Sequence, residues 1–93
     1  EVDLTAAYLF EANLAEIDLT GSDLTNAHLP YADLSQATLQ DTVLTNVELS
    51  NSQLYRTNFA GAKMQGANLS RANLRRANLT QAELSEANLD SAD

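Results

Sequence analysis

The sequence predicts an all-β fold, a β-solenoid in which short repeats stack around one continuous core. Apolar residues recur at every fifth position from Leu4 to Leu89, and no leucine lies in any other register. The residue two positions before each of them is small, most often Ala, and the residue between is most often Asn or Asp. A period this regular is typical of stacked units that share a core.

A period of five fits neither common backbone geometry. On an α-helix, five residues advance by about 500°, so successive leucines would wrap around the whole surface. On a straight strand, side chains alternate with period two, so successive leucines would point to opposite faces. One corner in every repeat removes the conflict, because a short extended segment then directs the small residue and the leucine inward. The Asn, Asp, Ser, Thr and Gly residues around the corners fit this interpretation, since these residue types favour turns.

The inward positions define the predicted core. Phe59 and Met64 replace leucine in the series but keep its register. Because the repeat runs without interruption along the chain, residues 1–93 are predicted to form a single domain. The predicted core residues include Leu14, Leu34, Leu54, Leu74, Phe59 and Met64.

The repeat resembles a known family. The pattern Ala-(Asn/Asp)-Leu-x-x occurs, for example, at Ala67-Asn68-Leu69, Ala72-Asn73-Leu74 and Ala32-Asp33-Leu34. It is similar to the pentapeptide-repeat family, particularly its leucine-centred form, which is abundant in cyanobacteria and other bacteria. The resemblance implies a right-handed quadrilateral β-helix with four pentapeptides per coil. With about 4.8 Å between stacked strands, the chain would make about 4.7 coils and a rod about 22 Å long.

Composition excludes several classes of protein. The chain has no cysteine, so neither a disulfide framework nor a thiolate metal site is expected. No apolar run approaches the roughly 20 residues of a membrane span. We therefore expect a soluble chain without membrane contact. Its compartment stays open: the cytoplasm, or the periplasm or thylakoid lumen if a leader has been removed.

We expect no catalytic, cofactor or metal site. His28 is the only histidine, and it is predicted to point outward in one column with Tyr8 and Glu48. Catalysis and metal binding require side chains that converge on a point, whereas a flat ladder spaces them along a wall. No insertion interrupts the repeat to form a pocket. The sequence therefore predicts a protein that is not an enzyme.

Charge is distributed unevenly along the chain. Residues 1–46 contain eight acidic residues and no Lys or Arg, whereas residues 47–93 contain five acidic and five basic residues, so the net charge of −8 belongs to the first half. If each coil of the chain has four walls, an Arg cluster lies diagonally across from the acidic residues. A mixture of charges that solvates the surface also explains this pattern. The predicted acidic corner comprises Glu1, Asp3, Asp18, Asp23 and Asp41.

Two functions are compatible with these features. The first is a non-catalytic protein–protein interaction or scaffold module, because exposed aromatic residues that cluster often mark contacts. The candidate contact residues, which we call the aromatic face, are Tyr8, Phe10, Pro30 and Tyr31. The partner protein is unknown.

The second function is an acidic DNA mimic that binds a type II topoisomerase, which the resemblance to the quinolone-resistance branch implies. Eight acids over about 11 Å of rod give about one charge per 1.4 Å, comparable to about one per 1.7 Å in duplex DNA. The Arg cluster of the second half argues against this function because it would repel a basic groove. Direct nucleic-acid binding is not expected from an acidic chain.

The ends of the solenoid are expected to associate. Each end would leave a row of leucines and unpaired backbone groups open, and such edges favour further pairing. Two acidic N-terminal ends repel each other, whereas the C-terminal half has no net charge. The sequence therefore predicts a homodimer through the C-terminal ends, which a two-fold axis closes, with head-to-tail stacking, which can continue into fibres, as the second geometry.

Overall fold

The computed structural model describes residues 1–93 and contains no helix and no strand longer than a single bridged residue. Every bridge is parallel and joins a residue to the one four repeats later, as Asp3 with Asp23 and Tyr8 with His28. The chain therefore passes four walls before it returns above its starting point. No helix is both long and apolar enough to cross a membrane.

The bridged residues occupy the position between the small residue and the leucine, and they form four columns, one on each wall. We number these columns by their first residue in chain order. Column 1 contains Asp3, Asp23, Val43, Lys63 and Glu83. Column 2 contains Tyr8, His28, Glu48, Asn68 and Asn88. Column 3 contains Asn13, Asp33, Gln53 and Asn73. Column 4 contains Asp18, Thr38, Asn58 and Asn78.

A tight turn follows each central apolar residue. In the first turn, the N–H of Ala7 donates to the Leu4 carbonyl at 3.0 Å, and Ala6 between them has a φ of 55°. A positive φ at the third residue alone matches a type II β-turn, which favours Gly or Asn there. Yet the same conformation recurs at residues such as Glu11, Tyr31 and Arg56. The stacked coils therefore impose a left-handed conformation that the isolated residues would disfavour by about 1 kcal/mol or more each.

The Asn and Asp residues of the walls satisfy the one backbone N–H in each repeat that the ladder leaves free. That N–H belongs to the residue after the leucine, and it donates to the side chain two positions earlier. Thr25 donates in this way to Asp23 at 2.9 Å, and Ser70 donates to Asn68 at 3.1 Å. The motif thus prefers Asn or Asp because a short side-chain oxygen reaches this donor.

Leucine and small residues fill the interior in the predicted pairs. Leu34, Leu54, Phe59 and Met64 are completely or almost completely buried. Buried hydroxyls bond to backbone carbonyls, as Thr57 Oγ1 does to Leu34 at 2.8 Å. No buried side-chain nitrogen or oxygen lacks a partner. The interior is therefore apolar wherever it is not hydrogen-bonded.

The two end coils are only half-buried. Leu14 and Leu74 pack against the core without full burial, and Leu89 is 43% exposed. The principal extents are 30 × 27 × 22 Å, so no dimension of the molecule greatly exceeds the others.

Candidate functional site

The aromatic face lies on the first two coils and is open to solvent. Tyr8 is 82% exposed, Phe10 is 61% exposed and Tyr31 is 56% exposed. Pro30 between them is half-buried. Exposure on this scale is unusual for aromatic side chains, which normally bury most of their surface. Tyr8 lies in column 2, and Phe10, Pro30 and Tyr31 lie at the turns that follow this column in the first two coils.

Tyr8 and His28 form a parallel stack. Their ring centroids are 4.6 Å apart and the planes differ by 4°. The cause is their position in column 2, because a parallel bridge sets neighbouring side chains about 4.8 Å apart along the axis. The sequence predicted that His28 points outward in this column, and the structure shows it exposed, with its ring stacked on Tyr8 of the aromatic face.

Phe10 and Tyr31 form a second pair across neighbouring coils. Their rings meet edge to face, with centroids 5.8 Å apart and an interplanar angle of 66°. Phe10 follows Leu9 at a corner of the first coil. Tyr31 holds the left-handed position at the same corner of the next coil, with a φ of 60°. Gly or Asn would suit that conformation better, so turn stability does not account for a tyrosine here.

Pro30 occupies the second position of the four-residue turn 29–32, directly before Tyr31. Proline favours this position of a type II turn because its φ is preset. Proline also has no N–H, so the side chain two positions earlier has no backbone donor at this corner from which to accept a hydrogen bond. That earlier residue is His28, and its ring is therefore free to stack on Tyr8.

A hydrogen-bonded carboxylate continues column 2 beyond His28. Asn68 Nδ2 donates to both Glu48 carboxylate oxygens, at 3.0 and 2.8 Å, and the Ser50 N–H donates to Oε1 at 3.1 Å. Partial burial raises the pKa of Glu48, but the bonds from Ser50 and Asn68 and the nearby His28 outweigh it and lower the pKa below its ordinary value. Glu48 therefore adds a fixed negative charge next to the aromatic face.

The acidic corner has a partly structural role. Thr20 donates to Asp18 Oδ1 through its hydroxyl at 2.6 Å and through its N–H at 3.0 Å, and these bonds lower the Asp18 pKa, with a contribution from the N-terminal amino group. Hydrogen bonds from Thr5 likewise lower the pKa of Asp3. Asp23 bonds to the N–H of Thr25. These three carboxylates do for their corners what Asn does elsewhere.

The other two members of the acidic corner share a column at the turns. The Glu1 side chain reaches over Gly21, where an added Cβ would lie 3.3 Å from Glu1 Cγ, and Asp41 lies against Gly61 in the same way. Gln40 Nε2 donates to Asp41 Oδ2 at 3.3 Å. The acids are thus spread over three rows, namely column 1, column 4 and the turn column of Glu1 and Asp41, rather than drawn to one point.

The basic side chains lie in the later coils. Arg75 Nε pairs with Asp93 Oδ2 at 3.0 Å, with both side chains largely exposed. The Arg56 guanidinium lies 5.3 Å from the centroid of the Tyr55 ring. The second aromatic surface of the molecule is therefore already occupied by a cation, whereas the aromatic face is not.

The walls form no pocket. No group of three or more His, Asp or Glu side chains is arranged to hold a metal ion. The surface features that remain are flat: rows of side chains on a repeating ladder. Recognition on such a surface depends on the exposed rings and the charges beside them.

The repeat region matches the family model described as Pentapeptide repeat region over residues 12–89. This chain belongs to the pentapeptide-repeat family. The resemblance predicted from the Ala-(Asn/Asp)-Leu pattern is confirmed. No curated protein sequence matches the chain significantly.

Solved pentapeptide-repeat proteins superimpose on the chain. One from the cyanobacterium Cyanothece 51142 has a TM-score of 0.95 at 35% identity, over 97% of this chain and 62% of that one. One from the Arabidopsis thaliana thylakoid lumen has a TM-score of 0.79 at 26% identity, over 99% and 64%. One from Nostoc PCC 7120 has a TM-score of 0.61 at 38% identity, over 98% and 74%.

These relatives establish the architecture as the quadrilateral β-helix of pentapeptide-repeat proteins. Members of the family are generally structural or interaction modules. The chain spans 62% of the Cyanothece protein and 64% of the Arabidopsis protein. The activity and partners of the whole protein are therefore matters for proposal.

Proposed function

We propose that the chain is a non-catalytic protein–protein interaction module that docks a partner protein through the aromatic face. The observation that carries the proposal is the pair of ordered, exposed ring contacts, Tyr8 on His28 and Phe10 on Tyr31. Rings already held in place lose little conformational freedom on binding, and aromatic residues dominate the energetics of many interfaces. A flat wall without a pocket suits a protein partner better than a small molecule.

Affinity capture with matched variants tests the proposal. The triple variant Tyr8→Ser/Phe10→Ser/Tyr31→Asn removes the rings at exposed positions, and Asn accepts the left-handed conformation of residue 31. Tyr55→Ser removes an aromatic ring from another wall and serves as the control. We expect a protein from the encoding organism to be retained by wild type and by the control but lost by the triple variant. Identical retention by all three would contradict the proposal.

The acidic corner supports a second candidate, a DNA mimic that binds a type II topoisomerase. The supporting observation is that the first half of the chain contains eight acidic residues and no Lys or Arg. The corner hydrogen bonds of Asp3, Asp18 and Asp23 give these acids a structural explanation, which weakens the candidate. A DNA supercoiling assay distinguishes them: inhibition that Asp41→Asn relieves and the triple variant retains would favour the mimic.

We also propose that the isolated 93-residue polypeptide self-associates through its C-terminal coil. The N–H groups of Leu79, Leu84 and Leu89 have no backbone acceptor there, and Leu89 is 43% exposed. We infer that this polypeptide is a right-handed helix of about 4.7 coils. Sedimentation at increasing concentration should show a dimer at low salt. A monomer at every concentration would contradict this geometry, and a dimer only at high salt would favour the acidic ends.

A further inference from the structure

Two acidic side chains neighbour the aromatic face in its stacked columns. Glu11 holds the left-handed corner position directly before that of Tyr31 in the stack, and Glu48 follows His28 in column 2. No Lys or Arg lies within residues 1–46. The nearest base in the corner column of Tyr31 is Arg71, two coils further on. Ring faces and carboxylates here therefore attract the same kind of group.

Both features select for a cation. An aromatic face attracts Lys or Arg through the quadrupole of the ring, most strongly where water is excluded. A carboxylate beside the ring adds an ionic contact and steers association. At the other aromatic surface of this molecule the arrangement is already present, because Arg56 lies over Tyr55. The rings of the aromatic face have no such cation.

We propose that the aromatic face, with Glu11 and Glu48 on its flanks, binds a basic segment of a partner protein in which Arg or Lys alternates with apolar residues. The apolar residues pack on the exposed rings of Tyr8, Phe10 and Tyr31. The cations lie over ring faces and against the two flanking carboxylates. This inference rests on the proposed function and specifies the chemistry of the partner.

Charge complementarity separates this occupant from the alternatives. An acidic segment, a nucleic acid or an anionic lipid surface would be repelled by a chain of net charge −8. A purely apolar segment would exclude water from the flanking carboxylates without supplying a cation to pair with them, which costs free energy. A segment that combines both chemistries satisfies the rings and the carboxylates together.

Peptide titration followed by amide NMR tests the inference on the intact chain. The probe is a short synthetic peptide that alternates Arg with Leu, and the comparison peptides replace Arg with Glu or Leu with Ser. We expect the Arg-Leu peptide to shift the amide signals of residues 8–11 and 28–31. The triple variant Tyr8→Ser/Phe10→Ser/Tyr31→Asn should weaken binding by about tenfold or more, whereas Tyr55→Ser should leave it unchanged.

Several results would overturn the inference. These are equal binding of the Glu-Leu peptide, undiminished binding by the triple variant, or equal binding of the Arg-Ser peptide, which would indicate attraction by charge alone. A natural partner that cross-links at residue 8 through a segment lacking Lys and Arg would also overturn it, while leaving the proposed function intact. Loss of binding in Glu11→Gln/Glu48→Gln with retained fold would support it, because the rings stay in place while both flanking negative charges are removed.

Discussion

Asn78 Nδ2 donates to Asn58 Oδ1 at 3.1 Å, one coil away on the same wall. The same Asn58 oxygen accepts the N–H of Ala60 at 3.1 Å. A single amide oxygen therefore closes a corner within its own coil and links that coil to the next. The aromatic face depends on this framework, because the rings keep their spacing only while the coils stay in register.

Asn58→Ala should destabilise the fold by about 1 kcal/mol, since it removes an acceptor for two donors. Thr38→Ala is the matched control, because Thr38 occupies the same column but its side chain makes no hydrogen bond, and we expect a change within about 0.5 kcal/mol. Urea denaturation gives both values if the dependence on urea is unchanged. Equal losses in the two variants would show that the corner bond does not matter.

Thr45→Pro should stabilise the chain by about 0.4–1 kcal/mol, because proline restricts the unfolded state. Proline also fits the second position of the turn, which Pro30 holds at its own corner. The N–H of Thr45 has no partner, since Val43 stands where other repeats have Asn or Asp. Thr25→Pro makes the same change where Asp23 accepts the N–H, so we expect no gain there. Thermal melting measures the melting temperatures of the two variants. An equal rise in both melting temperatures would contradict the assigned role of the wall carboxylates.

Leu34→Asp should abolish cooperative folding. Leu34 is 1% exposed, and an unpaired carboxylate in an apolar interior costs several kcal/mol, comparable to the whole stability of a small domain. Leu89→Asp makes the same change at a leucine that is 43% exposed and should leave most of the structure folded. Circular dichroism measures both, and a folded Leu34→Asp protein would overturn the assignment of the core.

Asp18→Asn should weaken the pH dependence of stability in acid. The Asp18 pKa is below the ordinary value of 3.8 in the folded protein because Thr20 hydrogen-bonds its carboxylate. The carboxylate therefore contributes stability above pH of about 4, which is lost as the pH falls through the folded-state pKa. Asn keeps the oxygen but does not titrate. Denaturation from pH 2 to pH 6 should show a shallower dependence for the variant, and parallel curves would contradict this.

The inward pairs and the corner of each repeat were predictable from the sequence because burial dictates the repeat, whereas the four walls were implied only by the resemblance to the pentapeptide-repeat family. A leucine every fifth residue with a small residue two positions before it requires a corner in each repeat, and the structure has that corner. The occupants of the left-handed corner position were not predictable. Residues such as Glu11, Tyr31 and Arg56 lie there although their intrinsic preference opposes it, since stacking overrides local preference.

The role of the wall Asn and Asp was visible only in part. Their outward direction followed from alternation, whereas the bond to the N–H two residues later required the turn geometry. Pro30 contained the missing signal. It has no N–H to donate, and the wall residue two positions before it, His28, is neither Asn nor Asp. The stack of His28 on Tyr8 could likewise have been inferred from their separation of four repeats. The aromatic face as a partner contact stays a prediction.

Photo-cross-linking tests directly whether the aromatic face contacts a partner protein. A photo-reactive phenylalanine analogue is placed at position 8 of one protein and at position 55 of another, and each is irradiated in an extract of the encoding organism. We expect an adduct at position 8 that disappears when Phe10→Ser and Tyr31→Asn are added, and no adduct at position 55. An adduct at position 55 with none at position 8 would contradict it.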